Sequence, residues 1–340
     1  MSVTSVRSAP PPALGVGSDV DPLLAVLVHR PGPEVAAVAE ADPERALFAS
    51  APDPEGVRRA HDVLTATLRD HGVEVLLLED LLRDVHGAAF ARDAAPALAS
   101  LPNLMYVRDT SVWVGACAVP ATMREPVRRG EGPLLDAVYR RHPRFAGATV
   151  RAPSRSPVEG GDVLPVGDGR VMVGISERTG VAGALLLTTW LLVHAGIDEV
   201  ITLELPAGAA FHLDLVLSMV DHHTYAVWAP VRDRVRAHRW HVCRDGFVSG
   251  ALVDDPWHGL RVLEIPGEDA RDHGRPRDHG TNLLAIAPGT VVAYADDARA
   301  NERLRRAGVE VLEVPAGDLA AGRGGPRCLT CPVARASAPR

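Results

Sequence analysis

From Leu23 to Val314 the chain alternates between short aliphatic, β-branched runs and stretches of helical spacing, which restricts the fold to one that interleaves strands and helices. Residues 23–29 form an aliphatic run closed by Arg30-Pro31-Gly32, a strand followed by a turn. Residues 54–70 carry Val57, Ala60, Val63, Leu64 and Leu68 at helical spacing, with His71-Gly72 as the stop, and 73–78 follow as a buried strand. A strand pair at 104–106 and 111–114 precedes a helix at 133–141. Residues 163–166 and 170–173 predict a hairpin across Gly167-Asp168-Gly169, then a helix at 182–194 and a strand at 199–203. Strands at 213–219, 224–228, 283–286 and 291–293, a helix at 297–307 and a strand at 309–314 complete the series. Units of strand pair, helix and strand without a compositional break predict one α/β domain of repeated modules, although no sequence repeat marks them.

The Pro-rich lead Ser-Ala-Pro-Pro-Pro-Ala-Leu cannot enter a helix or an inner strand, so residues 1–14 are expected to be a disordered tail and 15–335 a single catalytic domain. A chain of 340 residues with 46% hydrophobic content can bury a sizeable core without staples. Its net charge of −7 gives no general attraction for phosphate backbones or anionic lipid, which points to a small-molecule partner, with no nucleic acid and no membrane. Cys117, Cys243, Cys328 and Cys331 fit free thiols in a reducing compartment. Residues 1–12 lack the apolar run of a secretory signal. The nearest approach to a spanning segment is 181–197, where His194 and two glycines argue for a buried helix. A cytoplasmic location is expected, and a homo-oligomer is allowed.

Several local patterns carry chemistry. Arg323-Gly324-Gly325-Pro326-Arg327-Cys328 sets a cysteine after two glycines and beside basic residues, where backbone approaches a ligand closely and positive charge favours a thiolate. Packing is the alternative use of such a cysteine. Cys328-Leu329-Thr330-Cys331 has redox or half-zinc spacing, but no second Cys-x-x-Cys exists to complete a zinc site. His238-x-x-His241-x-Cys243 also has metal-like spacing, and its Arg-rich surroundings favour a solvated segment. On an extended strand, His212 and Asp214 would share a face opposite Phe211 and Leu213. Glu159-Gly160-Gly161-Asp162 places two acids around a glycine pair at a turn, and Asn103 to Asp109 ends a short strand with an acid. A cysteine, a histidine and three or more carboxylates gathered in one pocket would suit a planar, donor-rich cation such as a guanidinium.

Taken in order, these four segments resemble the bacterial arginine deiminases of the guanidino-group-modifying superfamily. The similarity extends to Gly15-Val16-Gly17-Ser18, Leu27-Val28-His29-Arg30-Pro31-Gly32, Val173-Gly174-Ile175-Ser176-Glu177-Arg178-Thr179 and Leu284-Ala285-Ile286-Ala287-Pro288-Gly289. The resemblance implies a five-bladed α/β propeller of ββαβ modules with pseudo-fivefold symmetry. It implies hydrolysis of L-arginine to L-citrulline and ammonia through a covalent cysteine thiouronium, with no cofactor and no metal. Cys328 would be the nucleophile, His212 the acid/base, and Glu159 the carboxylate that orients His212. Asp109 and Asp214 would clamp the guanidinium. Arg128 and Arg178 would hold the substrate α-carboxylate, with Asn103, Asp162 and Arg323 completing the substrate-binding set.

The sequence departs from the family pattern in places. Between Leu78-Glu79-Asp80 and Leu101-Pro102-Asn103 the chain is short where family members carry a sizeable helical insert. Tyr106-Val107 replaces the commoner Phe-Thr, and Leu329 stands where Met is usual. Residues 272–280, rich in Arg and His, form a candidate lid or surface loop. Amidinotransfer, deimination of peptidyl or modified arginine, and non-catalytic arginine binding are the rival functions.

Overall fold

In the computed structural model, residues 11–40, 42–152, 154–257, 259–266 and 280–336 are described. Asp53 caps helix Pro54–Asp70 by accepting from the N–H groups of Glu55 and Gly56, and Pro54 occupies the first turn, where its missing N–H costs nothing. The helix buries Val57, Ala60, Leu64 and Leu68 along one stripe, as their spacing requires. The 163–173 hairpin forms as Val163–Gly167 with Arg170–Ile175, and its turn places Asp168 at φ 50° and Gly169 at φ 70°, the left-handed pair of a two-residue hairpin loop.

Among the described residues five sheets share one plan: an antiparallel strand pair, whose second strand takes a third strand in parallel. In chain order they are Ser111–Val114, Cys117–Pro120 and Thr149–Val150; Val163–Gly167, Arg170–Ile175 and Glu199–Glu204; Leu217–Asp221, Thr224–Trp228 and Arg261–Ile265; and Leu284–Ala287, Thr290–Tyr294 and Glu310–Val314. The fifth joins the two ends of the chain, pairing Cys331–Arg335 antiparallel to Leu23–Val28 and adding Glu74–Leu77 in parallel. A parallel partner needs a crossover, and helices supply four of them: Glu131–Arg141, Val181–His194, Ala298–Arg306 and Pro54–Asp70. In the third sheet the crossover is a hairpin, Arg236–Val242 with Val248–Val253, that adds onto Glu199–Glu204 and widens the second sheet. The result is a mixed α/β fold of several small sheets.

Some segments differ from their sequence reading. Residues 104–106 are not a strand. They turn, with the Tyr106 N–H donating to the Asn103 carbonyl and the Tyr106 hydroxyl to the Leu319 carbonyl, and Ser111–Val114 pairs with Cys117–Pro120 instead. The expected strand at 213–219 begins only at Leu217, after a short turn at Leu213–Leu215. Residues 74–77 are half-buried, because Glu74–Leu77 lies at a sheet edge. The 181–194 helix leaves Val181, Leu186 and Val193 exposed, so it lies on the surface. Residues 238–243 fall largely in the widening hairpin. The short stretch before Leu101 is helical at Leu78–His86, Phe90–Asp93 and Ala95–Leu98. The first pairing is an isolated bridge from Gly15 to Ala334, ahead of the first strand at Leu23–Val28; residues 1–10 and all but Gly280 of the candidate lid lie outside the described residues. Among the described residues no helix is long and apolar enough to cross a membrane.

Candidate active site

The chemistry-bearing residues sit just ahead of the first strand of each sheet. Asp109 lies in the turn Val107–Thr110 before Ser111–Val114, and Glu159 to Asp162 lead into Val163–Gly167. His212 and Asp214 precede Leu217–Asp221, Asn282 precedes Leu284–Ala287, and Cys328 precedes Cys331–Arg335. Because these strands are equivalent in the repeated plan, residues far apart in sequence meet at one place, and all of these side chains are buried.

Cys328 Sγ lies 3.6 Å from Asp214 Oδ2 and accepts a hydrogen bond from Asn282 Nδ2 at 3.1 Å. The Cys328 N–H donates to Asn282 Oδ1 at 3.0 Å, so one asparagine grips the backbone and the sulfur of the same residue. His212 Nε2 is 2.8 Å from Glu159 Oε2, while its Nδ1 is 3.5 Å from Asp109 Oδ1. Glu159 Oε1 accepts from the Arg124 N–H at 2.8 Å. Asp109 Oδ2 receives Arg128 Nη1 at 2.6 Å, and Asp214 Oδ2 receives Arg327 Nη1 at 2.8 Å. The second oxygen of each aspartate, Oδ1, takes no hydrogen bond among the described residues, nor does His212 Nδ1 or Arg178 Nη1.

Burial and neighbouring charges act on these groups in opposite directions. Burial works against a charged His212, but Asp109, the Glu159 hydrogen bond and Asp162 outweigh it and lift the imidazole to about 9, so it is cationic at neutral pH. Burial also pushes Glu159 up, yet the hydrogen bond and charge of His212, with Arg128 and Arg178, bring it down to about 2. The Cys328 thiol is pushed well above its ordinary value by burial, then by Asp214 and Asp109. The basic residue beside it does not free a thiolate, since Arg327 is engaged by Asp19 and Asp214.

The expected substrate-binding residues divide. Arg178 is buried with its guanidinium 3.6 Å from Glu125 Oε1, 3.7 Å from Glu159 Oε2 and 5.3 Å from the Phe211 ring centre. Arg128, expected at a substrate carboxylate, instead has a partner at every guanidinium nitrogen: Nε and Nη2 donate to Glu131, Nη1 to Asp109, and Nη2 also to the Tyr106 carbonyl. Asp162 braces the His212 turn by accepting from the Leu213 N–H at 2.8 Å and the Ser176 hydroxyl at 2.7 Å; burial pushes its carboxyl up to about 7 against these bonds and the His212 charge. Asn103 donates to the Ala46 carbonyl at 2.7 Å. Arg323 is exposed at a left-handed φ of 68°.

Asp109, Glu159 and His212 present ligand atoms within 4.8 Å of one another and are the set of three among the described residues that could gather around a metal ion. Arg128 already lies 2.6 Å from Asp109 and 4.0 Å from Glu159, so the carboxylates meet a guanidinium there. That donor set fits a planar organic cation better than a bare metal ion.

The sequence model described as "Arginine deiminase" matches residues 44–97, 88–246 and 256–335. The chain belongs to the arginine deiminase family. A family relative from Rhodococcus opacus (strain B4), named arginine deiminase, is 33% identical over 394 residues, an alignment covering 95% of this chain and 97% of the relative. Among solved structures, the fold is similar to a dimethylarginine dimethylaminohydrolase from Pseudomonas aeruginosa complexed with citrulline, at TM-score 0.64 and 18% identity over 91% of this chain and 99% of that one. It is also similar to the amidinotransferase SxtG from Microseira wollei, at TM-score 0.65 and 16% identity over 96% and 98% of the two chains.

Sequence reasoning missed Asn282, Glu131 and Arg327. Asn282 has the same offset from its strand as Asp109, a signal visible only once the equivalent strands are aligned. Glu131 is fully buried and sits three residues from the arginine it pairs with; burial lifts its carboxyl to about 7 despite that arginine. The glycine pair at the Glu159 turn is needed sterically, since a Cβ on Gly161 would lie 2.8 Å from both Asp109 Oδ1 and His212 Cγ. Gly161→Ala is therefore expected to lower kcat by on the order of 100-fold through misplacement of the histidine, with folding retained by circular dichroism. A wild-type rate in that variant would show that the His212 to Asp109 spacing does not govern turnover.

Proposed function

We propose that this arginine deiminase family member hydrolyses L-arginine to L-citrulline and ammonia through a covalent Cys328 thiouronium. The observation that carries this reading is the pair of buried carboxylate oxygens that accept no hydrogen bond among the described residues, Asp109 Oδ1 and Asp214 Oδ1, beside a thiol and a cationic histidine. Leaving such oxygens without donors is costly, and the paired N–H groups of a guanidinium supply them. Arg178, with Nη1 free of hydrogen bonds, suits the substrate α-carboxylate, and Arg128 holds Asp109 in register through Glu131.

With the substrate cation bound between the aspartates, the Cys328 thiol gives up its proton to solvent, and the thiolate attacks the guanidinium carbon to give a tetrahedral adduct. His212, held by Glu159, donates a proton to the departing nitrogen, and ammonia leaves. Water then adds to the thiouronium carbon with His212 taking its proton, and collapse of this second adduct returns thiolate and releases citrulline. The carboxylates keep the substrate cationic and its carbon facing the sulfur throughout.

The five repeated sheets support blades of a five-bladed α/β propeller, with residues 15–335 as one catalytic unit around the site. The four free cysteines fit a reducing cytoplasm. L-Arginine, an arginine-containing peptide, and L-arginine with an acceptor amine, each assayed for citrulline and ammonia, separate the readings. Free L-arginine is expected to be the productive substrate; ammonia-free transfer to the amine would replace hydrolysis by amidinotransfer, and activity on the peptide alone would replace the free amino acid.

A further inference from the structure

Arg327 directly precedes the nucleophile and is fully buried, a setting in which an unpaired guanidinium would be strongly destabilising. Its Nε donates to Asp19 Oδ2 at 2.9 Å, its Nη1 to Asp214 Oδ2 at 2.8 Å, and its Nη2 to the Val163 carbonyl at 3.1 Å. One planar group thus ties the N-terminal segment, the strand after the Glu159 turn and the His212 turn to the nucleophile's own backbone. Asp19 is itself shared with Arg108, whose Nη1 lies 3.5 Å from Asp19 Oδ1. With Asp214 Oδ2 held by Arg327, only Oδ1 is left without a hydrogen bond.

We propose that Arg327, anchored by Asp19, is a positioning residue that locks Asp214 by one oxygen and reserves the other for the substrate guanidinium. This rests on the reading of Asp214 as a guanidinium ligand. Fixing one oxygen fixes the rotation of the carboxylate, and a fork with several donors does this where a single ammonium cannot. The guanidinium also governs charge. Asp214 faces Arg327, His212, Asp109, Arg108 and the Cys328 thiol; burial drives it toward the neutral acid, and Arg327 is the strongest influence opposing that. A neutral Asp214 would lose its charge-assisted bond to the substrate.

The test compares full-length wild type, R327Q, R327K and D19N for citrulline formation between pH 5 and 9, with folding followed by circular dichroism. R327Q is expected to raise KM for L-arginine by about tenfold or more, with a smaller fall in kcat. It is also expected to move the acid limb of kcat/KM to higher pH by about one unit, because Asp214 then ionises later. R327K, which restores the charge and not the fork, should return the limb toward wild type while KM stays high. D19N should shift both quantities the same way by less. If R327Q does not fold, R327K and D19N carry the decision on the same two readouts. Folded variants with wild-type KM and an unmoved acid limb would overturn the assignment, since a purely structural arginine lowers stability and leaves both unchanged. A wild type that forms no citrulline defeats the functional reading itself, whereas active wild type with unresponsive variants defeats the role of Arg327 alone.

Discussion

Cys328→Ala is expected to abolish citrulline formation, a loss on the order of 10⁴-fold or more in kcat, while L-arginine still binds. Binding survives because the groups assigned to hold the substrate, Asp109, Asp214 and Arg178, do not depend on the sulfur for their anchors: Arg128, Arg327 and Glu125 respectively. Removing the thiol also removes a buried group 3.6 Å from Asp214, so binding by calorimetry should be unchanged or tighter. In the wild type, burial and the two aspartates hold the thiol protonated, and a bound cation between those aspartates would draw it down. Iodoacetamide should therefore alkylate a probe variant, Glu159→Gln, faster when L-arginine is bound and turnover is slow, provided access is matched by a neutral control ligand. Residual citrulline from Cys328→Ala within tenfold of wild type would exclude the covalent route.

Much of this was legible in the sequence, and the reasons separate by range of interaction. Helix Pro54–Asp70 announces itself through its apolar stripe and its His71-Gly72 stop, both local features. The 163–175 hairpin does so through its Asp-Gly turn. The hairpin Arg236–Val242 with Val248–Val253 gave no such signal, because its first strand is largely exposed and rich in Arg and His and its second is a half-exposed edge strand, so both lack the apolar alternation on which the reading depends. Strand alternation was the expected cause of a shared face for His212 and Asp214, whereas the structure places both on a turn braced by Asp162, with His212 against Glu159 and Asp109 and Asp214 against Arg327 and Cys328. Arg128 and Arg327 mark the limit: a sequence shows a charge, but which acid it meets is decided by long-range packing. Arg128 reaches Asp109 across 19 positions and Arg327 reaches Asp19 across 308.

Glu159→Gln is expected to lower kcat by on the order of 10³-fold and to move the alkaline limb of the pH profile to lower pH by one unit or more. Burial alone would press His212 below its ordinary value, so its elevation to about 9 is the work of surrounding acids, among which Glu159 supplies the hydrogen bond to Nε2 at 2.8 Å. The sign follows directly. In the wild type the imidazole is charged below about 9 and can donate to the departing nitrogen through neutral pH. With glutamine the acceptor remains and the charge does not, so the imidazole loses its proton at lower pH and the donor form is depleted where the wild type is active. Glutamine can also offer its amide N–H to Nε2, which leaves the ring's one proton on Nδ1, facing Asp109, and the neutral ring then has no free lone pair with which to take a proton from water. Measuring kcat against pH together with the imidazole titration by NMR tests this, since both midpoints must fall in step. An imidazole that still titrates near 9 in the variant would place the elevation on Asp109 and Asp162 instead, and would leave Glu159 with orientation as its sole contribution.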